Sequence, residues 1–91
     1  MKKQVNIKIF GLVQGVLFRS SAKTQAELLN ITGYVKNNWD ETVEILACGE
    51  EENLKKLIAW ASHGPADARV DKVEVKWQKS SGNFLGFEVR Y

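Results

Sequence analysis

Apolar and polar positions alternate from the start of the chain. Val5, Ile7 and Ile9 fall on one face and Gln4, Asn6 and Lys8 on the other, which predicts a half-buried strand over about Gln4 to Phe10. The period then changes: Phe18, Ala22, Ala26 and Leu29 recur at helical spacing, predicting a helix from about Arg19 to Leu29, with Asn30 and Gly33 bracketing its exit. A second strand is expected over Thr32 to Asn37. The turn residues Asn37 to Glu41 separate it from a third, in which Val43, Ile45 and Ala47 alternate with Glu44, Leu46 and Cys48, so strands two and three read as a hairpin. The second helix is the most strongly marked. Glu50, Glu51 and Glu52 occupy its first turn, where carboxylates suit the helix dipole; Glu51 to Lys55 and Glu52 to Lys56 are four apart; Leu54, Leu57, Ile58 and Ala61 form the apolar stripe. His63-Gly64-Pro65 ends it. Val73, Val75 and Trp77 share a face of a fourth strand, and Val70, out of phase with them, predicts a bend near Asp71. Ser80 to Asn83 reads as a turn, after which Leu85, Phe87, Val89 and Tyr91 alternate with Glu88 and Arg90 in a last strand.

The order β-α-β-β-α-β with one further strand predicts an α+β fold. It is a ferredoxin-like sandwich: two helices on one face of an antiparallel sheet, strand one central, and a short extra C-terminal strand. Composition adds limits more than content. A chain of 91 residues with 44% hydrophobic and 26% charged residues is expected to be a single domain over 1–91, with one core and little room for an internal cavity, so its site belongs in a surface cleft or loop. The net charge of +2, from 13 basic and 11 acidic residues intermixed along the chain, gives no footprint for nucleic acid. No apolar run approaches the about 18 residues of a membrane span, and Gln4, Asn6 and Lys8 interrupt any signal-peptide pattern after Met1. A cytoplasmic protein with no membrane partner is the expectation, and a monomer. Cys48, the single cysteine, has no internal partner, which agrees with a reducing compartment.

Candidate chemistry gathers at Gly11-Leu-Val-Gln-Gly-Val-Leu-Phe-Arg19, the turn that joins strand one to helix one. Glycine tolerates φ > 0, so the backbone at Gly15 can curl until successive N–H groups point into one concavity, a nest that attracts anions. The nest opens on a helix N-terminus, where orphan donors and the dipole favour negative charge, and Arg19 adds a planar fork of donors. These residues suit a phosphate or carboxylate site; a structural turn carrying a solvated arginine is the other reading. The stretch lacks the Gly-Lys-Ser/Thr ending of a nucleotide P-loop and the three-glycine spacing of a dinucleotide fingerprint, so nucleotide binding is not supported. Elsewhere, His63 is accounted for by the helix C-terminus, no spacing pairs it with Ser20, Ser21 or Cys48, and Cys48 reads as a filler on the strand face opposite Val43, Ile45 and Ala47. Asp40 and Glu41 read as solvated turn carboxylates. No cluster of ligands suggests a metal or any other cofactor. What remains is Arg19, the nest and the amides Gln14, Asn37 and Asn38. Such parts stabilise charge and position water without a strong base, which suits hydrolysis of an activated phosphate whose leaving group needs no help, such as an acyl phosphate.

The same residues carry a family resemblance. Gly11 to Arg19 resembles the first signature of the acylphosphatase family, and Gly33-Tyr-Val-Lys-Asn37 resembles the second. The likeness extends through Gly64-Pro65, Ala68-Arg69-Val70 with Val73, and the ending Phe87-Glu-Val-Arg-Tyr91, so it spans essentially the whole chain. It implies a βαββαβ fold and metal-free hydrolysis of carboxyl–phosphate anhydrides to a carboxylate and inorganic phosphate. By motif position it implies that Arg19 binds the substrate phosphate and that Asn37 orients the attacking water. The main-chain N–H groups of Gln14, Gly15, Val16, Leu17 and Phe18 would hold the phosphoryl oxygens, and proton removal would be assisted by the substrate. The partner is then a small acyl phosphate. Leu17 stands at a variable position. Glu41 stands where the family often has glycine after the hairpin aspartate, a change expected to alter the turn and add negative charge. The residues bear on two other readings. Gly86 to Tyr91 has a faint likeness to an RNA-recognition strand, but strand three, where that signature belongs, has no aromatic residue, so RNA binding is disfavoured. A domain of this family also works inside a larger carbamoyl-transferring maturation protein; a chain that begins with its own methionine and ends at the last strand favours a free-standing enzyme.

Overall fold

A computed structural model describes residues 2–80 and 84–91. Seven elements follow in the expected order: β1 (Lys2–Leu12), α1 (Phe18–Leu28), β2 (Thr32–Asn37), β3 (Val43–Glu50), α2 (Glu51–Ala61), β4 (Arg69–Gln78) and β5 (Phe87–Arg90). Of the turn expected over Ser80 to Asn83, residues 81–83 lie outside the described residues. The strands form one sheet in the order β4-β1-β3-β2-β5. β1 pairs antiparallel with both β3 and β4, and β2 pairs antiparallel with β3. The short added strand β5 instead runs parallel to β2, so the sheet is mixed at that edge. β1 is interior, as the placement of its following turn requires, although β3 and not β1 is the middle strand of the five.

The alternation of β1 decides which face is covered. Val5, Ile7 and Ile9 are fully buried with Val35, Val43, Ile45 and Ala47 from the neighbouring strands, and both helices close over them through Phe18, Ala22 and Ala26 of α1 and Leu54, Leu57 and Ala61 of α2. Burying a large aliphatic side chain contributes about 1.5–3 kcal/mol, so this face holds the sandwich together. The opposite face carries the polar set. There Asn6 donates to Glu44 at 2.8 Å, and Gln4 donates to Gln78 at 2.7 Å and accepts from the Cys48 Sγ at 3.3 Å. Burial raises the Cys48 thiol, which keeps it protonated and suits a filler.

Three local features bear on the site. Phe18, the first residue of α1, is buried with its ring 5.2 Å from that of Trp60, so the start of the helix is anchored in the core. Gly33 holds φ +136°, and a Cβ there would lie 1.8 Å from the Leu46 carbonyl oxygen; only glycine lets β2 lie this close against β3 and keep Asn37 opposite Val43. The bend expected near Asp71 is a bulge: Gly11 pairs with Val70 and Phe10 with Lys72, leaving Asp71 as the extra residue. The expected Glu51–Lys55 pair forms at 3.0 Å, and Glu51 also reaches Lys3 at 2.6 Å. The last strand is shorter than its alternation suggested. Phe87 and Val89 pack inward, but Leu85 precedes β5 and is fully exposed, as is Tyr91 beyond it.

Candidate functional site

The turn from β1 into α1 forms one wall of a cleft of about 280 Å³, lined there by Val13, Gly15, Leu17, Phe18, Arg19 and Ser20. Asn37, at the end of β2, and Val89 and Tyr91, at the C-terminal end, form the rest. The backbone has the curl that the glycine predicted: Gly15 has φ +75° and Leu17, in the N-cap position of α1, has φ +64°. A Cβ built on Gly15 would meet nothing within 4 Å, so that side of the glycine is open. Leu17 holds a left-handed conformation without glycine's freedom, at a cost of about 1–3 kcal/mol that the surrounding turn must over-determine. An α-helix leaves its first N–H groups without intrahelical acceptors, and no acidic side chain occupies the first turn of α1 to meet them.

Arg19 is held from the far end of the chain. Its Nη1 donates to the Arg90 carbonyl at 3.0 Å, and its guanidinium lies 4.5 Å from the centroid of the Tyr91 ring. Asn37 presents a different feature: its Oδ1 is buried and accepts no hydrogen bond among the described residues. A buried amide oxygen left unpaired costs about 1–3 kcal/mol, so it is a destabilising atom with its acceptor capacity unused. Of the residues that sequence pointed to, Gly15, Leu17, Phe18, Arg19 and Asn37 line this one cleft. Val16 instead packs against the core. The Gln14 side chain turns to the hairpin, its Nε2 donating to the carbonyls of Asn38 at 2.8 Å and Thr42 at 2.9 Å.

The β2–β3 hairpin is braced by its own polar groups. Asn38 N–H donates to the Thr42 carbonyl at 2.9 Å, Asn38 Nδ2 donates to Thr42 Oγ1 and Glu44 Oε1, and Thr42 Oγ1 donates to Asp40 at 2.6 Å. The bond from Thr42 is the chief reason that Asp40 titrates below the usual carboxylate range, outweighing burial, with Lys8 at 3.2 Å adding to it. For Glu44 burial is the largest influence and raises its pKa, but hydrogen bonds from Asn6 and Asn38 with the charges of Lys36 and Lys8 bring the net shift below the ordinary value. Both carboxylates are thus committed to the hairpin. No carboxylate, imidazole or thiol side chain lines the cleft among the described residues, and no group of three or more metal-ligating side chains stands together there. His63 lies beyond α2, with Nδ1 3.2 Å from the Gly64 carbonyl oxygen.

Glu41 has φ +70°, a left-handed turn conformation that glycine adopts without strain. Glu41→Gly is expected to stabilise the protein by about 0.5–1 kcal/mol, the relieved strain exceeding the extra unfolded-state entropy. That corresponds to a rise of about 2–6 °C in Tm by calorimetry, and a fall would show that the turn is not strained there.

Sequence reasoning missed the partners of Arg19. The Arg90 carbonyl and the Tyr91 ring reach it through the parallel pairing of β5 with β2, which brings chain positions 71 apart into contact. The only local signal was the continued alternation of Phe87, Val89 and Tyr91.

The chain is similar to known proteins along nearly its whole length. Residues 5–89 match the acylphosphatase family profile. An acylphosphatase of Geobacter sulfurreducens is 44% identical over 91 residues, covering 100% of both chains. The crystal structure of acylphosphatase from Bacillus subtilis superposes with a TM-score of 0.94 at 33% identity, with 100% of each chain covered. The T. kodakarensis HypF structure contains the same fold, with a TM-score of 0.84 and 33% identity, covering 98% of this chain but 12% of that one.

Proposed function

The chain belongs to the acylphosphatase family of acyl phosphate hydrolases, and on that premise we propose that it works without a metal ion, its Gln14–Arg19 loop gripping the phosphoryl group while Asn37 orients the attacking water. The observation that carries this reading is one cleft lined by Arg19, the start of α1 and Asn37. Main-chain N–H groups from Gln14 to Phe18 donate to the phosphoryl oxygens. Arg19 uses one donor on Arg90 and offers the rest of its fork to the anion. The Asn37 side-chain amide holds the water by a hydrogen bond and leaves a water lone pair free to attack phosphorus. As the new P–O bond forms, the bond from phosphorus to the acyl oxygen breaks and the carboxylate leaves with the electron pair. The water proton passes to a phosphoryl oxygen, since no side-chain base lines the cleft among the described residues. A carboxylate leaves readily, so positioning and charge stabilisation suffice. The reading takes 1–91 as one catalytic unit, a cytoplasmic monomer acting on a small molecule with no nucleic-acid or membrane partner.

The test is hydrolysis of benzoyl phosphate in excess EDTA beside a simple phosphomonoester. Unchanged turnover with chelator is expected, with the phosphomonoester slower by about 10³-fold or more because its leaving group needs protonation. Activity lost to EDTA and restored by a divalent cation would sink metal independence. Comparable rates on both compounds would sink the substrate class.

A further inference from the structure

We propose that the Gln14 side chain is a strut fixing the separation between the phosphate loop and Asn37: the side chain positions, and only the main-chain N–H of Gln14 is left to meet the phosphate. The inference rests on the roles proposed above for the loop and for Asn37. Gln14 lies within the loop, yet its side-chain amide donates away from the loop, to the Asn38 carbonyl at 2.8 Å and the Thr42 carbonyl at 2.9 Å. Those two carbonyls bracket Asn37: Asn38 follows it in the chain, and Thr42 precedes Val43, its partner across the β2–β3 pairing. Thr42 O also closes the turn by accepting from the Asn38 N–H. The strut therefore seizes the hairpin at its closing pair, where Asn38, Thr42, Asp40 and Lys8 already brace one another. Among the described residues no other hydrogen bond joins residues 13–17 to residues 37–42. On the loop's other side, the buried Phe18 pins the start of α1.

This arrangement separates two quantities. The loop's N–H groups and Arg19 bind phosphate without help from the hairpin, whereas in-line attack depends on where Asn37 stands relative to the bound phosphorus. A misplacement of about 1 Å at a reacting group lowers rate by about 10²-fold, so loss of the strut acts on turnover and spares phosphate affinity.

Gln14→Met keeps the length of the side chain and removes both donors. It is expected to lower kcat for benzoyl phosphate about tenfold or more while the Ki of inorganic phosphate changes less than about threefold. In an Asn37→Ala background the same substitution is expected to change kcat less than about twofold, because the strut acts through Asn37. Gln14→Glu offers the two carbonyls only oxygen at neutral pH and loses turnover likewise; it recovers in part toward acid, where its carboxyl protonates and donates once. Should Gln14→Met melt far below the parent, the pH profile of Gln14→Glu decides, and absence of any acid recovery overturns the proposal. Equal losses in both backgrounds, or a loss carried wholly by phosphate Ki, also overturns it. Failure of Asn37→Ala alone to slow the enzyme is a separate result, and it strikes the water-orienting role instead of the strut.

Discussion

An Arg19→Ala enzyme is expected to hydrolyse benzoyl phosphate with kcat/KM about 10²–10³-fold below the parent. The substitution removes the side-chain cation from the wall of the cleft, and with it the fork proposed to make charge-assisted bonds that strengthen as charge develops on the phosphoryl oxygens. Stability should hardly change. Among the described residues the guanidinium's contacts are one bond to the Arg90 carbonyl and the face of the exposed Tyr91, so Tm should stay within about 2–3 °C of the parent, matching the small effect typical of surface changes. Arg19→Lys keeps a charge but replaces the planar, fixed fork with a compact ammonium, and an intermediate loss of about tenfold or more is expected. The decisive comparison is steady-state kinetics beside a melting curve. A parent-like kcat/KM in a folded Arg19→Ala protein would remove the arginine from the mechanism.

The same arginine shows where sequence reasoning succeeds and where it stops. Its helix was legible because Phe18, Ala22 and Ala26 repeat at the helical period, and β2 matched its expected bounds because Gly33 and the asparagine turn mark both ends. Even the bulge at Asp71 left a trace, since Val70 falls out of phase with Val73 and Val75. What holds Arg19 was not legible, because a carbonyl carries no sequence signature and β5 meets β2 only through tertiary pairing. That pairing also sets the length of β5. Its register runs from Gly33 opposite Phe87 to Lys36 opposite Arg90, so Leu85, which continues the alternation, finds no partner and stays in solvent. Gln14 shows the converse limit: sequence grouped its amide with those of Asn37 and Asn38, but the turn of its side chain toward the hairpin is a tertiary property that no sequence pattern marks. The left-handed conformation of Leu17 was equally invisible, since leucine does not favour it, whereas that of Glu41 had one signal, the glycine that the family often carries there.

Asn37→Ala is expected to separate activity from stability in one substitution. Turnover of benzoyl phosphate should fall about 10²–10³-fold, because the side chain proposed to align the water is lost, while the Ki of inorganic phosphate stays within about threefold, because Arg19 and the loop are untouched. Stability should hold or rise by up to about 1 kcal/mol, since the variant removes a buried carbonyl oxygen that accepts no hydrogen bond among the described residues. Such a residue, costly to the fold and useful to the reaction, is the pattern expected where function is set against stability. Asn37→Asp sharpens the assignment. It keeps an acceptor of the same shape and adds a negative charge beside an anion site, so phosphate affinity should fall while some capacity to orient water remains. The opposite pattern, in which Asn37→Ala lowers Tm by several degrees and leaves kcat intact, would show that the amide serves the hairpin alone. The unpaired Oδ1 would then be a flaw in the packing with no part in the chemistry.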